Sequence, residues 1–336
     1  MNVVELTRAL VDIESITDNE GAVGSYLLDH LSKVAAGTGG RVERMDVEPG
    51  RFNVLATWGE SIVTLSTHMD TVPPFFPSRE DSEFVWGRGA CDAKGIIAAM
   101  IGAAEKLLAE GVRNIALLFV VGEERNSAGA AVAARAPRGS KYLVNGEPTE
   151  NKLALASKGA LRYELVARGK MAHSAYPELG ESAVDALLDA LEAIRRVPLP
   201  NDALLGRCTV NIGTLSGGRA PNVIPDAAKA EIFVRLVGDA APIRQAFSRA
   251  VDGRAQLNEI LCIPPIHFHS VDGLPTTVVS FTTDVPVFGH AWGQPLLLGP
   301  GSIHVAHTTE ERISKRDLTE AVGMYADVVK KLLAKA

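Results

Sequence analysis

Residues 115–124 read IALLFVVGEE, seven consecutive apolar positions followed by a glycine and two glutamates. A run this short, rich in β-branched and aromatic residues, reads as a strand buried on both faces. The same pattern recurs along the chain. Ile62–Leu65 leads into Ser-Thr-His68-Met-Asp70, and Tyr142–Val144 leads into Asn-Gly-Glu147-Pro. Pro295–Leu298 leads into GPGSIHVAH, which ends at His307. Helical spacing separates these runs. Thr17 and Glu20 have capping-box spacing ahead of Val23, Leu27, Leu31 and Val34. Ile97, Ile101, Ala104 and Leu108 share one face, with Gly111 just past the end, and a last helix carries Leu318, Val322, Val329 and Leu332. Buried strands alternating with helices predict an α/β fold with a mostly parallel sheet covered by helices.

The rhythm changes in the middle of the chain. Leu161, Tyr163, Leu165 and Ala167 alternate with Arg162, Glu164 and Arg168, and Ala230, Ile232, Val234 and Leu236 alternate with Lys229, Glu231 and Arg235. Alternation of this kind marks strands with one solvated face. Helical stretches fall at about 181–196 and 241–250. The expectation is a smaller α+β domain, residues 158–265, inserted into a first domain made of residues 1–157 and 266–336.

Composition narrows the function classes. The chain has 336 residues, 46% hydrophobic and 22% charged, with 34 basic and 40 acidic side chains giving a net charge of −6. No Lys/Arg stripe suggests a nucleic-acid partner, and no apolar run has the length of a membrane span. The first residues, MNVVELTRALVDIES, do not have the pattern of a secretory leader. Cys91, Cys208 and Cys262 lie far apart without a CxxC pair, which fits a reducing cytoplasm. GxxxxGK[ST] is absent, as is GxGxxG at a first strand–helix turn, which removes the main support for a nucleotide-binding reading.

In an open parallel sheet, ligands bind beyond the carboxyl ends of the strands. His68, Asp70, Glu123, Glu124, Glu147 and His307 all follow such ends, so the topology would gather them at one edge. Each alone has an ordinary reading: HxD as a surface turn, paired glutamates as a solvated face, GEP as a turn, His307 as a loop histidine. Those readings would have to hold four times independently. Imidazoles and carboxylates without a thiolate suit a zinc-type site, and carboxylates in excess of one tetrahedral site suggest two bridged metals. His304, three residues before His307, is a rival ligand.

The ordered motifs STHMDTVP, GRGACDAKG, GEERNSAG, NGEPT and GPGSIHVAHTTEE resemble the dinuclear zinc amidohydrolases. That family includes acetylornithine deacetylase, succinyl-diaminopimelate desuccinylase, aminoacylase and a glutamate-releasing carboxypeptidase. The resemblance spans nearly the whole chain. It implies that the inserted domain is a ferredoxin-like lid and dimerisation domain. It further implies that His68 and Glu147 hold one metal, Glu124 and His307 the other, and that Asp92 bridges both. The metals would be two zinc ions, with cobalt or manganese tolerated by the same donors. Asp70 would orient the His68 ring, Glu123 would be the general acid/base for a metal-activated water, and His173 in GKMAHSAYP would donate to the oxyanion. In dimeric relatives that histidine comes from the partner subunit. Asn222 and Arg235 match substrate-contacting lid positions, and Asp284 matches an element that supports the site from behind.

Within that family, CDAKG and the segment GPGSIHVAH followed by Glu310 and Glu311 look most like acetylornithine deacetylase. The expectation is therefore a cytoplasmic, homodimeric deacetylase of N-acetyl amino acids, in arginine or lysine biosynthesis. The alternative is a dipeptidase, carboxypeptidase or succinyl-diaminopimelate desuccinylase on the same scaffold. A non-catalytic regulatory relative would lack the base or a ligand, and here Glu123 and all five ligand candidates are present.

Overall fold

In the computed structural model, which describes all 336 residues, the principal strands in chain order are β1 (Arg41–Glu48), β2 (Arg51–Trp58), β3 (Val63–His68), β4 (Ile115–Val120), β5 (Tyr142–Asn145), β6 (Leu153–Ser157), β7 (Gly159–Arg168), β8 (Thr209–Gly217), β9 (Ala227–Leu236), β10 (Gln256–Ile263) and β11 (Gln294–Leu297). The helices are α1 (Val3–Val11), α2 (Gly21–Thr38), α3 (Lys94–Ala109), α4 (Ala128–Arg135), α5 (Ala183–Arg195), α6 (Ala241–Val251), α7 (Val285–Phe288) and α8 (Lys315–Leu333). The chain divides into two units. One comprises Met1–Leu155, Phe268–Thr277 and Thr283–Ala336; the other comprises Ala156–His267 and Val278–Thr282.

The first unit is built on the sheet β1-β2-β4-β3-β5-β11-β6. Its centre, β4-β3-β5-β11, is parallel throughout. The flanking pairs β1·β2, β2·β4 and β11·β6 are antiparallel. The apolar run that reads as a strand in sequence is β4, and its two faces enter two separate cores. Leu117 and Phe119 pack with α1, α2, α3 and α8, through residues such as Leu10, Leu27, Ile97 and Val329. Ala116, Leu118 and Val120 pack with α4 and α7, through Ala130, Ala133 and Phe288. Burial on both faces leaves the strand no room for a polar side chain along its length.

One helix start differs from the capping-box expectation. The residue before α2 is Glu20, which lies in the helical region and makes no side-chain cap. Its carboxylate instead receives Arg51 Nε at 2.7 Å and Nη2 at 2.6 Å, and Glu20 is wholly buried. The Thr17 hydroxyl donates to Asp70 Oδ2 at 2.8 Å. Tertiary partners took both side chains that the spacing had assigned to a cap.

The second unit has the order strand–helix–strand–strand–helix–strand, β7-α5-β8-β9-α6-β10. Its antiparallel sheet runs β8-β9-β7-β10, the arrangement of a ferredoxin-like fold. The sequence alternation is visible in the packing. Leu161, Tyr163, Leu165, Ile232 and Val234 form a core with Leu187, Leu191, Ile243 and Phe247 of the helices. On the other face Arg162 pairs with Glu231 at 2.6 Å. The edge strand β8 is largely exposed, including Ile212 and Leu215. No helix is long and apolar enough to cross a membrane.

Candidate metal centre

Three parallel strands deliver the first groups. β3 ends at His68, β4 runs out into Val121-Gly122-Glu123-Glu124, and β5 into Gly146-Glu147. Asp92 lies in the loop before α3, and its peptide bond to Ala93 is cis. His307 lies on the segment after β11, with φ +62, a left-handed conformation that non-glycine residues seldom adopt.

The side chains close on one another. His68 Nε2 is 2.9 Å from Asp92 Oδ1. His307 Nε2 is 3.4 Å from Asp92 Oδ2 and 2.9 Å from Glu124 Oε1. Asp92 thus turns one oxygen toward each imidazole. One ligand atom from each of His68, Asp92 and Glu124 lies within 4.8 Å of the other two. Glu147 is buried, and its Oε1 has no hydrogen-bond partner. His304 is not among these contacts.

Electrostatics show what the cluster lacks. Burial drives Glu123 and Glu147 well above the usual carboxylate range, helped by the charges of neighbouring carboxylates. Burial likewise raises Glu124, and it raises Asp284 to about 7. Asp92 goes the other way: burial opposes ionisation, but hydrogen bonds from His307 and His68 outweigh it. His307 is pushed up to about 10 by its bonds to Asp92 and Glu124. Five carboxylates and two imidazoles share this space, and Glu147 Oε1 goes unpartnered. A buried acceptor without a donor costs about 1–3 kcal/mol. Divalent cations would answer both the repulsion and the missing partner. The donors are oxygen and nitrogen, and the one nearby thiol, Cys91, points its Sγ at the Ser302 carbonyl oxygen, 3.5 Å away. The residues present therefore fit a pair of metals of the zinc type.

Asp70 does more than its sequence context suggests. His68 Nδ1 lies 3.0 Å from the Asp70 backbone oxygen and 3.5 Å from the carboxylate. The carboxylate accepts the backbone N–H groups of Gly122, Glu123 and Glu124 at 2.9, 3.1 and 3.2 Å, and the Thr17 hydroxyl. It thereby fixes the loop that carries Glu123 and Glu124. Beneath that loop lies the buried guanidinium of Arg51. Gly122 has φ +82, and a Cβ there would sit 3.0 Å from Arg51 Nη2, so the tight exit from β4 needs glycine.

Sequence reasoning did not find Thr17, Glu20 or Arg51 as part of this support, and no local signal marks them. It also missed Lys94, a wholly buried amine whose Nζ donates to the Ile13 carbonyl at 2.6 Å, with a pKa that burial lowers to about 7.

His173, Asn222 and Arg235 belong to the second unit. His173 sits on a two-residue strand paired with Val223–Ile224. Its Nδ1 accepts the Ala175 N–H, and the Asn222 carbonyl accepts the Ser174 N–H at 3.0 Å, so these two neighbour one another. Both are exposed. Arg235 lies apart from them, on β9, with its guanidinium 4.7 Å over the Phe233 ring and no carboxylate partner. It borders a cavity of about 400 Å³ with Arg162, Asn211, Glu231 and Phe233.

Two family models match the chain: a peptidase dimerisation domain over residues 155–252 and peptidase family M28 over residues 53–195. A peptidase M20 domain-containing protein of Schizosaccharomyces pombe is 36% identical over 338 residues, covering 98% of this chain and 84% of its own. A probable carboxypeptidase of Aspergillus oryzae is 36% identical, with 97% of this chain and 86% of that one covered. Among solved structures, the aminopeptidase PepT of Bacillus cereus superposes with a TM-score of 0.80 at 21% identity, covering 99% of this chain and 98% of that one. An M20 family metallo-carboxypeptidase of Sulfolobus solfataricus superposes at 0.77 and 16% identity, with 99% of both chains covered.

Proposed function

The chain belongs to the M20 peptidase family, and from that premise we propose that it is a two-metal exopeptidase that removes C-terminal residues from small peptides. It is a metal-dependent hydrolase of amide bonds. The observation that carries the reading is the set of contacts around Asp92, whose two carboxylate oxygens each face one histidine. The names of the relatives favour peptides as substrates over the N-acetylornithine expected from the GPGSIHVAH motif.

His68, Glu147 and Asp92 would hold one metal, and Glu124, His307 and Asp92 the other. When bound, such a pair polarises the scissile carbonyl and acidifies water towards neutral pH. Glu123 has a high proton affinity because it is desolvated among other carboxylates. It takes a proton from the attacking water and gives it to the departing nitrogen, which leaves as an amine. Asp70 keeps Glu123 in register through the three backbone bonds. His173 is assigned to the developing oxyanion, Asn222 to substrate contact, and the unpaired Arg235 to the free α-carboxylate, which a guanidinium grips bidentately. The second unit is assigned to homodimer formation, in keeping with the family model over residues 155–252.

The test is amine release by zinc-loaded enzyme from dipeptides, their C-terminal amides, and N-acetyl amino acids. The expected result is cleavage of free-carboxylate peptides, with amidation lowering kcat/KM on the order of a hundredfold. N-acetylornithine turnover exceeding that of every peptide would overturn the peptidase reading.

A further inference from the structure

Glu311, part of the segment that drew the deacetylase comparison, has no part in the proposed chemistry, yet it is 1% exposed. It directly precedes the strand Arg312–Ser314, which pairs with Phe84–Trp86, and its carbonyl accepts the Gly87 N–H at 3.1 Å. That placement puts its carboxylate inside the loop leading to α3. Oε1 accepts the backbone N–H groups of Gly89, Cys91 and Asp92 at 2.9, 3.3 and 3.1 Å. Oε2 takes Arg88 Nη1 at 2.5 Å, and Arg88 is buried as well. The same guanidinium donates through Nε to the Pro74 carbonyl at 3.2 Å and lies 5.0 Å over the Phe76 ring.

One buried ion pair therefore joins three pieces of chain: the exit loop of β3 after His68, the loop that carries Asp92, and the segment four residues beyond His307. Two of these pieces carry the groups that meet at 3.4 Å, Asp92 Oδ2 and His307 Nε2. A carboxylate that accepts Asp92's own N–H and shares a short segment with His307 sets their separation directly. Apolar side chains of similar volume would stabilise such a location about as well. They would not accept the three N–H groups that converge on Oε1.

We propose that Glu311, clamped by Arg88, is a positioning residue that sets the Asp92–His307 distance and so the affinity for the second metal. This rests on the two-metal reading above. Metal-free protein would be titrated with Co²⁺ alone and followed by its visible d–d absorption. Wild type is expected to take up two ions; uptake of fewer overturns the two-metal reading, and this proposal with it. In Glu311→Gln, folding checked by circular dichroism, the first ion should bind as in wild type. The second should bind about 10–100-fold more weakly, with an altered d–d band. In the zinc-loaded enzyme kcat should fall while KM changes by less than about twofold. If Glu311→Gln does not fold, Glu311→Asp keeps the charge beside Arg88 and withdraws the oxygens by one methylene, and the same loss at the second ion is expected. Two cobalt ions bound with wild-type affinity and spectrum in whichever folded variant is obtained would overturn the proposal.

Discussion

β4 buries every one of its residues, whereas β9 buries every second one. β4 lies in the parallel centre of its sheet between helix layers on both faces, so polar chemistry is confined to the point where the strand stops. β9 lies in an antiparallel sheet with one wet face, so Lys229, Glu231 and Arg235 are spaced along it. The contrast teaches where to look for catalysis in each unit. In the first, charge density peaks at strand ends, where Glu123, Glu124 and Glu147 are desolvated enough to hold protons tightly. In the second, charges are mostly solvated, some of them paired as in Arg162–Glu231, and Arg235 lies half-buried over the Phe233 ring without a carboxylate partner.

Four sets of substitutions would break or sharpen that comparison. The largest effect is expected at the end of β4. Glu123→Gln should lower kcat on the order of a thousandfold, with metal content and Tm close to wild type. A near-wild-type rate would mean the strand-end carboxylate is not the base. Next comes the ion pair beneath the same loop. Arg51→Met leaves Glu20 buried without its cation and should destabilise by about 3–5 kcal/mol in urea unfolding; a loss under 1 kcal/mol would show the pair to be dispensable.

The two faces of β4 come third. Leu117→Ala and Leu118→Ala point into different cores, and each should cost about 2–5 kcal/mol. In β9 the two faces should split, with Ile232→Ala in that same range and Lys229→Ala within about 0.5 kcal/mol of wild type. Equal losses at Ile232 and Lys229, or a neutral Leu118→Ala, would erase the distinction between the sheets. Among the expected losses the smallest is at Asp70→Asn, which removes one acceptor from the loop-fixing carboxylate. Metal affinity should fall about 10–100-fold, measured by competition with a chromogenic chelator.

Much of this was legible in the linear chain. The runs 62–65, 115–121, 142–144 and 295–298 lie in or overlap β3, β4, β5 and β11, and the residues that follow them meet at one edge. Gly111 sits with φ +78 past α3, as its position suggested. Asp92 was less legible. It follows no long apolar run, and only the GACDAKG motif marked it.

What the sequence by itself determined was the alternation of buried strands and helices, the oxygen and nitrogen donors at the strand ends, and the family. The first two follow from periodicity and residue type, which are properties of neighbours along the chain; the family follows from the resemblance of the ordered motifs. What only the tertiary structure decided was which polar groups serve one another. Thr17 and Glu20 have the spacing of a helix cap, yet one bonds Asp70 and the other Arg51. Asp70 gathers three N–H groups from 52–54 residues away, and Glu311 three from 219–222 residues away. A hydrogen bond reaches only about 3 Å, so its partner is set by what the packed fold brings into that radius.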